Sequence, residues 1–204
     1  MENSQKIKSP KNLYINVILL LHMSQNNYNI RIVEALLKSE NHIRGLAKLL
    51  NTNQTTIARK VQELYKNNIV DFKQEGKNKV VFLKKSLEAK QYAYHVETQK
   101  LLEILKRYPH LRRIIELIKK NEKISLAILF GSYAKGIAKK ESDVDIYLDT
   151  TNRKLKEEIE LINSNLNVKI GEYNKDSLLI KEIEKNHVIV KGIEIYYEKN
   201  KFFD

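Results

Sequence analysis

The 204-residue chain contains no cysteine. Disulfides, thiolate nucleophiles and cysteine-ligated zinc are therefore excluded. Histidine is sparse: His22, His42, His95, His110 and His187 are scattered, and none stands at a metal-ligand spacing from another. Long apolar runs are also missing. The most apolar stretch, Leu13 to Met23 (LYINVILLLHM), is well short of the ~20 residues that cross a bilayer. Lysines precede it, but no small-residue cleavage site follows, so it reads as a core element of an intracellular, cytoplasmic protein with no membrane partner. Neither an internal repeat nor a low-complexity segment occurs.

What is present is positive charge, unevenly placed. The formal net charge is +12. Residues 1–124 hold 24 Lys and Arg against 11 Asp and Glu, whereas residues 125–204 hold 13 against 14. The basicity belongs to the N-terminal part, which points to a polyanionic partner there, nucleic acid rather than lipid.

The C-terminal part is organised by Ile124 to Asp149, ISLAILFGSYAKGIAKKESDVDIYLD. An apolar run ends at Gly131-Ser132, and a basic, small-residue turn follows. Ser142 to Leu148 then alternates polar and apolar, the period of a half-buried strand. Val144, Ile146 and Leu148 share one face; Asp143, Asp145, Tyr147 and Asp149 share the other. Two carboxylates two residues apart on a strand sit about 7 Å apart and repel unless a cation lies between them, for which a hard divalent ion is suited. Gly131 permits a sharp turn close to a ligand. Ser132 opens a short expected helix (Tyr133 to Ala138) whose free N–H groups suit a phosphate, with Lys135, Lys139 and Lys140 nearby.

Gly131-Ser132, the intervening Gly136 and then Asp143-Val144-Asp145 resemble the signature of the polymerase-beta-type nucleotidyltransferase superfamily, and most closely its small minimal branch. The resemblance implies that Gly131, Ser132, Lys135 and Ser142 face the nucleotide. It implies further that Asp143 and Asp145 are catalytic and hold Mg2+, with a nucleoside triphosphate, ATP, as substrate. A third carboxylate on a later strand completes such a site. In the expected strand Leu166 to Tyr173 the residue between core-like Val168 and Ile170 is Lys169, placed here as a nucleotide contact. Glu172 has the wrong parity unless the strand bulges or ends.

The N-terminal part reads as helices. Asn29 to Leu37 is amphipathic. His42 to Leu50 and Gln54 to Asn67 are joined by a three-residue polar turn, a helix-turn-helix, with Thr52 or Asn53 as cap. Ile57, Val61 and Leu64 form the buried stripe of the second helix, leaving Gln54, Thr55, Arg59 and Lys60 outward, where a recognition helix meets a major groove. Ile69 to Phe72 and Val80 to Leu83 flank a basic, Gly-containing tip, a hairpin. Residues 28–85 thus resemble winged-helix DNA-binding domains. The resemblance implies double-stranded DNA as partner, with Lys73, Lys77 and Lys79 on the wing and most contacts going to phosphate.

A long helix, Ser86 to Tyr108, reads as a connector or as a homodimer contact. Pro109 restarts the chain, and His110 to Lys120 is helical. Asn152 caps a helix from Arg153 to Ser164, Asp176 to Asn186 is helical, and Val188 to Tyr197 reads as a final strand. The expected architecture is α+β to α/β: a winged helix-turn-helix (1–86), a connecting helix (87–108) and a nucleotidyltransferase-like mixed sheet with flanking helices (109–204). The implied function is nucleotidyl transfer to a hydroxyl acceptor. The alternatives are a DNA-binding transcriptional regulator, or an antitoxin-type module that binds nucleotide or a toxin-like protein partner through a weakened domain.

Overall fold

The computed structural model describes residues 28–76 and 78–204. Leu13–Met23 and Lys77 lie outside the described residues. The chain divides into two compact units, 1–82 and 83–204, so the helix expected as a connector lies within the second.

In the first unit, helix α1 (Tyr28–Lys38) precedes a two-residue strand β1 (Asn41–His42), helix α2 (Ile43–Leu49) and helix α3 (Gln54–Lys66). A hairpin of β2 (Val70–Glu75) and β3 (Asn78–Leu83) closes it. Strand order is β1-β3-β2, with β1 antiparallel to β3 through Asn41 opposite Val81 and His42 opposite Val80. Helix, short strand, two helices and a hairpin in this order make a winged helix. Asn53, rather than Thr52, caps α3: its side-chain oxygen accepts from Thr56 N at 2.7 Å, meeting one of the free donors at the helix start. Val33, Leu46, Ile57, Val61, Leu64, Ile69 and Val81 are fully buried, so the apolar stripe of α3 faces the core as its spacing requires.

The second unit opens with α4 (Leu87–Arg107) and α5 (Leu111–Lys120). It continues through β4 (Ala127–Phe130), the single turn α6 (Gly131–Ala134) and β5 (Val144–Asp149). Then come α7 (Arg153–Glu160), β6 (Leu166–Gly171), α8 (Leu178–Lys185), β7 (Val188–Lys191) and α9 (Ile193–Asn200). The sheet runs β6-β5-β4-β7: β4 is antiparallel to β5 and β7, and β5 is parallel to β6 across α7. Leu129, Val144, Ile146, Leu148, Val168 and Val190 bury one face against Leu101 and Ile104 of α4, Ile114 and Ile118 of α5, and Leu155 and Ile159 of α7.

The helix expected to reach Ser164 ends at Glu160 and the strand expected to reach Tyr173 ends at Gly171, and two further elements differ more in kind. The helix after Gly131-Ser132 is one turn, ending at Ala134 instead of Ala138, because the chain turns left-handed at Gly136 (φ +70°). The expected final strand Val188 to Tyr197 is a four-residue strand followed by α9. Gly192 (φ +81°) breaks it, and a Cβ there would lie 2.2 Å from the Ser125 carbonyl oxygen. Only glycine takes that conformation cheaply so close to a neighbouring backbone.

Candidate functional site

The register of the sheet assembles the site. Phe130, last of β4, pairs with Asp145. The chain then leaves the strand through Gly131 at φ +70°, so close that a Cβ on Gly131 would sit 2.3 Å from Asp145 Oδ2. The bend and the carboxylate are thus in direct apposition. Asp143 lies two residues before Asp145, exposed at the entry to β5, while Val144 between them is in the core. The two acids therefore share the side opposite the core.

The bend is held from below. Tyr133 is buried, its hydroxyl 3.1 Å from His110 Nε2 and its ring edge-on to Tyr108 with centroids 4.8 Å apart. Burial, then the neighbouring Tyr108, pushes its phenol above the ordinary value, so it stays neutral. Arg107 donates through Nη1 to the Gly136 carbonyl at 2.8 Å. The segment after Ser132 is thereby fixed to the α4–α5 corner.

The remaining residues fall as follows. Ser142 folds its own loop: Lys139 N donates to Ser142 Oγ at 2.9 Å, and Ser142 N donates to the Lys139 carbonyl at 3.1 Å. Lys135 is exposed, with its ammonium 3.9 Å from the Glu182 carboxylate. Lys169 is exposed and pairs in register with Tyr147, one step along the sheet from Asp145. The residue beside Asp145 is instead Asn167, whose Nδ2 donates to Asp145 Oδ1 at 2.7 Å. Glu172 follows Gly171, which pairs with Asp149. It stands more than four residues beyond Asp145, some 13–17 Å at strand rise, too far to act there.

The lower half of the same strand face is structural. Tyr147 donates to the Gly171 carbonyl at 2.9 Å, and burial is the main reason its phenol is pushed well above the ordinary value. Asp149 accepts from Tyr173 N at 2.8 Å and pairs with Lys199 at 2.9 Å. Its side chain is only 9% exposed, so this acid is spoken for. Glu184 accepts from the hydroxyls of Tyr173 and Tyr196, closing a half-buried tyrosine network.

The donor set suits a divalent cation with nucleotide phosphates. Asp145 Oδ2 faces the space a glycine leaves open and Asp143 is accessible, and magnesium is commonly held by one or two carboxylates with phosphate oxygens supplying the rest. Among the described residues no group of three or more acidic or histidine side chains is placed to hold a metal ion. The partner position of Asp145 carries an amide, so a third carboxylate is absent from it.

On the first unit, Gln54, Thr55 and Arg59 are exposed on α3. Lys60 pairs with Glu63 at 2.9 Å, and Glu63 also accepts from Asn29 Nδ2 at 2.7 Å; these bonds, that from Lys60 foremost, hold its carboxyl below the ordinary value. On the wing, Lys73 is bracketed by Glu40 at 2.5 Å and Glu75 at 2.8 Å, which keep its ammonium protonated and locally neutralised. Lys79 lies over the Phe72 ring, 3.9 Å from its centroid, a cation–π contact that holds the charge on the wing surface. The paired lysines are invisible to a count of charges along the chain: Glu40 meets Lys73 across 33 residues.

Comparison with known proteins found solved structures and one family model. Eight solved chains match. The transcriptional repressor BigR from Xylella fastidiosa is 18% identical, with 40% of this chain and 81% of that one covered and a TM-score of 0.32. The adhesin competence repressor AdcR from Streptococcus pyogenes is 23% identical, covering 51% and 79%, with a TM-score of 0.38. The winged helix-turn-helix DNA-binding domain of Mb0332 from Mycobacterium bovis, described as homodimeric, is 16% identical, covering 50% and 92%, with a TM-score of 0.32. At such scores the winged-helix fold of the first unit rests on its own element order and strand pairing. No curated protein matches the chain. Residues 112–200 match the model of the family described as polymerase beta, nucleotidyltransferase, the span that contains Gly131, Asp143, Asp145 and Asn167. Over residues 112–200 the chain is therefore similar to the polymerase beta nucleotidyltransferase family, a match confined to its second unit.

Proposed function

We propose that the chain is a nucleotidyltransferase with a DNA-binding winged helix. Its C-terminal domain binds a nucleoside triphosphate, ATP, with a divalent cation against Gly131-Ser132 and passes the nucleotidyl group to a hydroxyl acceptor. The observation that carries this reading is the apposition of Gly131 and Asp145 Oδ2, which brings a carboxylate against the glycine-serine bend. Asp143 and Asp145 would hold Mg2+, which when bound offsets phosphate charge and polarises the α-phosphorus. The Gly131-Ser132 backbone binds and orients the phosphates, and Lys135 supplies positive charge at the rim. In the transfer, the acceptor oxygen bonds to the α-phosphorus, the bond to the bridging oxygen breaks, pyrophosphate leaves and the hydroxyl proton passes to solvent.

Incubation with α-labelled ATP, magnesium and hydroxyl acceptors (protein, small-molecule and nucleic acid) tests this. Label transfer by the wild type, reduced at least about 100-fold in Asp143→Ala/Asp145→Ala, is expected, since such sites work mainly by positioning and charge stabilisation. No transfer from any of the four triphosphates, or transfer indifferent to the double substitution, would overturn it. Asn167 favours a second reading, in which the domain binds nucleotide and turns it over little, because no third acid stands ready to take the proton. Nucleotide binding without transfer would select that reading.

The first unit is proposed to bind double-stranded DNA through α3, with Gln54, Thr55 and Arg59 toward the groove and Lys79 on the wing toward phosphate. Arg59→Ala should weaken binding to the chain's own upstream DNA about tenfold and reduce the slope of log affinity against log salt by about one. Fluorescence anisotropy across a salt series measures both. Binding insensitive to salt and to Arg59 would contradict the assignment.

A further inference from the structure

Asp145 is the residue on which the cation site turns, and its two oxygens live in different surroundings. Oδ1 accepts from Asn167 Nδ2 at 2.7 Å. Oδ2 faces the space beside Gly131. The parallel register that places Asn167 beside Asp145 is secured on either side by Val144 opposite Leu166 and Ile146 opposite Val168, all in the core. A shift of one residue would turn those side chains out of the core, so the amide is fixed where it is. A carboxylate accepts only, and the amide must present its NH2 group to it. The partial positive charge of that group therefore lies against Oδ1.

We propose that Asn167 is a positioning residue that limits the site to one divalent cation, held by Asp143 and by Oδ2 of Asp145. This rests on the cation–nucleotide reading above. A second cation needs both oxygens of a bridging carboxylate and ligands of its own, about 3.5–4 Å from the first. Here one oxygen is committed to an N–H donor, and the neighbouring strand offers an amide and then the exposed ammonium of Lys169. Neither adds the negative charge that a second divalent ion requires. Asn167 also pins the Asp145 rotamer, so Oδ2 stays aimed at the bend without reorganisation.

Titration with Mn2+, followed by electron paramagnetic resonance with and without a non-hydrolysable ATP analogue, tests the proposal. The wild type should bind one ion. Asn167→Asp should bind a second, or the first at least about tenfold more tightly, a scale known for residues that orient metal ligands. Its metal-free form should melt at lower temperature, because two carboxylates then face each other, and Mn2+ should restore the loss. Asn167→Ala should keep one ion, bound more weakly because Asp145 is free to rotate. Two ions in the wild type would overturn the proposal and leave the cation–nucleotide reading standing, as would unchanged stoichiometry and affinity in Asn167→Asp. Absence of Mn2+ binding in every form would overturn both.

Discussion

Gly131→Ala is expected to lower Mn2+ and nucleotide affinity about 10- to 100-fold while the domain remains folded. The added methyl would lie 2.3 Å from Asp145 Oδ2, closer than real Cβ contacts come, and a tight 3.1 Å from its carboxyl carbon. Asp145 must rotate away, and doing so breaks its bond to Asn167 and withdraws the oxygen proposed to hold the cation. A residue with a Cβ at φ +70° also costs about 1 kcal/mol or more. That is a modest loss for a domain of this size, so far-ultraviolet circular dichroism should be retained at 25 °C. Isothermal titration with the ATP analogue reads the effect, and affinity within threefold of wild type would mean the bend and the acid do not form one site. Asp145→Asn gives a check that leaves the volume unchanged. It should lose cation binding with little change in melting temperature.

Gly192→Ala should be the most destabilising small substitution in the C-terminal domain, by about 2–4 kcal/mol. The strain has two sources. The residue sits at φ +81°, and its Cβ would meet backbone, the Ser125 carbonyl at 2.2 Å and Leu126 Cα at 3.2 Å, instead of a flexible side chain that could move. Relief requires β7 to shift against β4, and Val188, Ile189 and Val190 are all buried. A fall of roughly 10 °C in the melting transition follows for a domain of this size. A fall under about 2 °C would show that the β7–α9 turn is more pliant than its packing implies. Gly76→Ala is the contrast. Its φ is +58°, but a Cβ there meets nothing within 4 Å, so only the conformational cost applies.

These two glycines also mark what the sequence discloses. Gly131 is legible, because an apolar run, a Gly-Ser pair and alternating aspartates state strand, turn and strand between Ile124 and Asp149. Gly192 is not. The run VIVKGIEIYY is rich in β-branched and aromatic residues and reads as one strand. Yet Tyr196 and Tyr197 are buried only because the chain turns at Gly192 and continues as a helix. Tertiary burial overrides local propensity there. Asn167 was hidden for another reason. Its place beside Asp145 depends on the pairing of β5 and β6 across α7, and a parallel register leaves no local signal in either strand. Reading outward from Val168 and Ile170 picks Lys169, which has the right face but pairs with Tyr147. Charge is the third example. Lys60 and Lys73 count as free cations along the chain but meet Glu63, Glu40 and Glu75 in the fold. Two-residue β1 carries no pattern of its own and exists because β3 offers it an edge.

The Asn167 amide also bears on turnover. A neutral side chain beside Asp145 cannot take a proton from an attacking hydroxyl, and general base assistance contributes about 10²–10⁴-fold where it operates. A slow enzyme is therefore expected rather than a fast one, and the rate should rise with pH as acceptor hydroxyls ionise unaided.

The Gly131-Ser132 bend and the Asp143/Asp145 pair are proposed to grip one cation and its nucleotide together. Anomalous diffraction at the manganese edge from crystals soaked in Mn2+ and a non-hydrolysable ATP analogue tests it most directly. The account predicts a single peak within ligand distance of Asp145 Oδ2 and Asp143, with the triphosphate against the backbone of Gly131 and Ser132. Nucleotide bound elsewhere on the domain, or a metal peak remote from both aspartates, would contradict it.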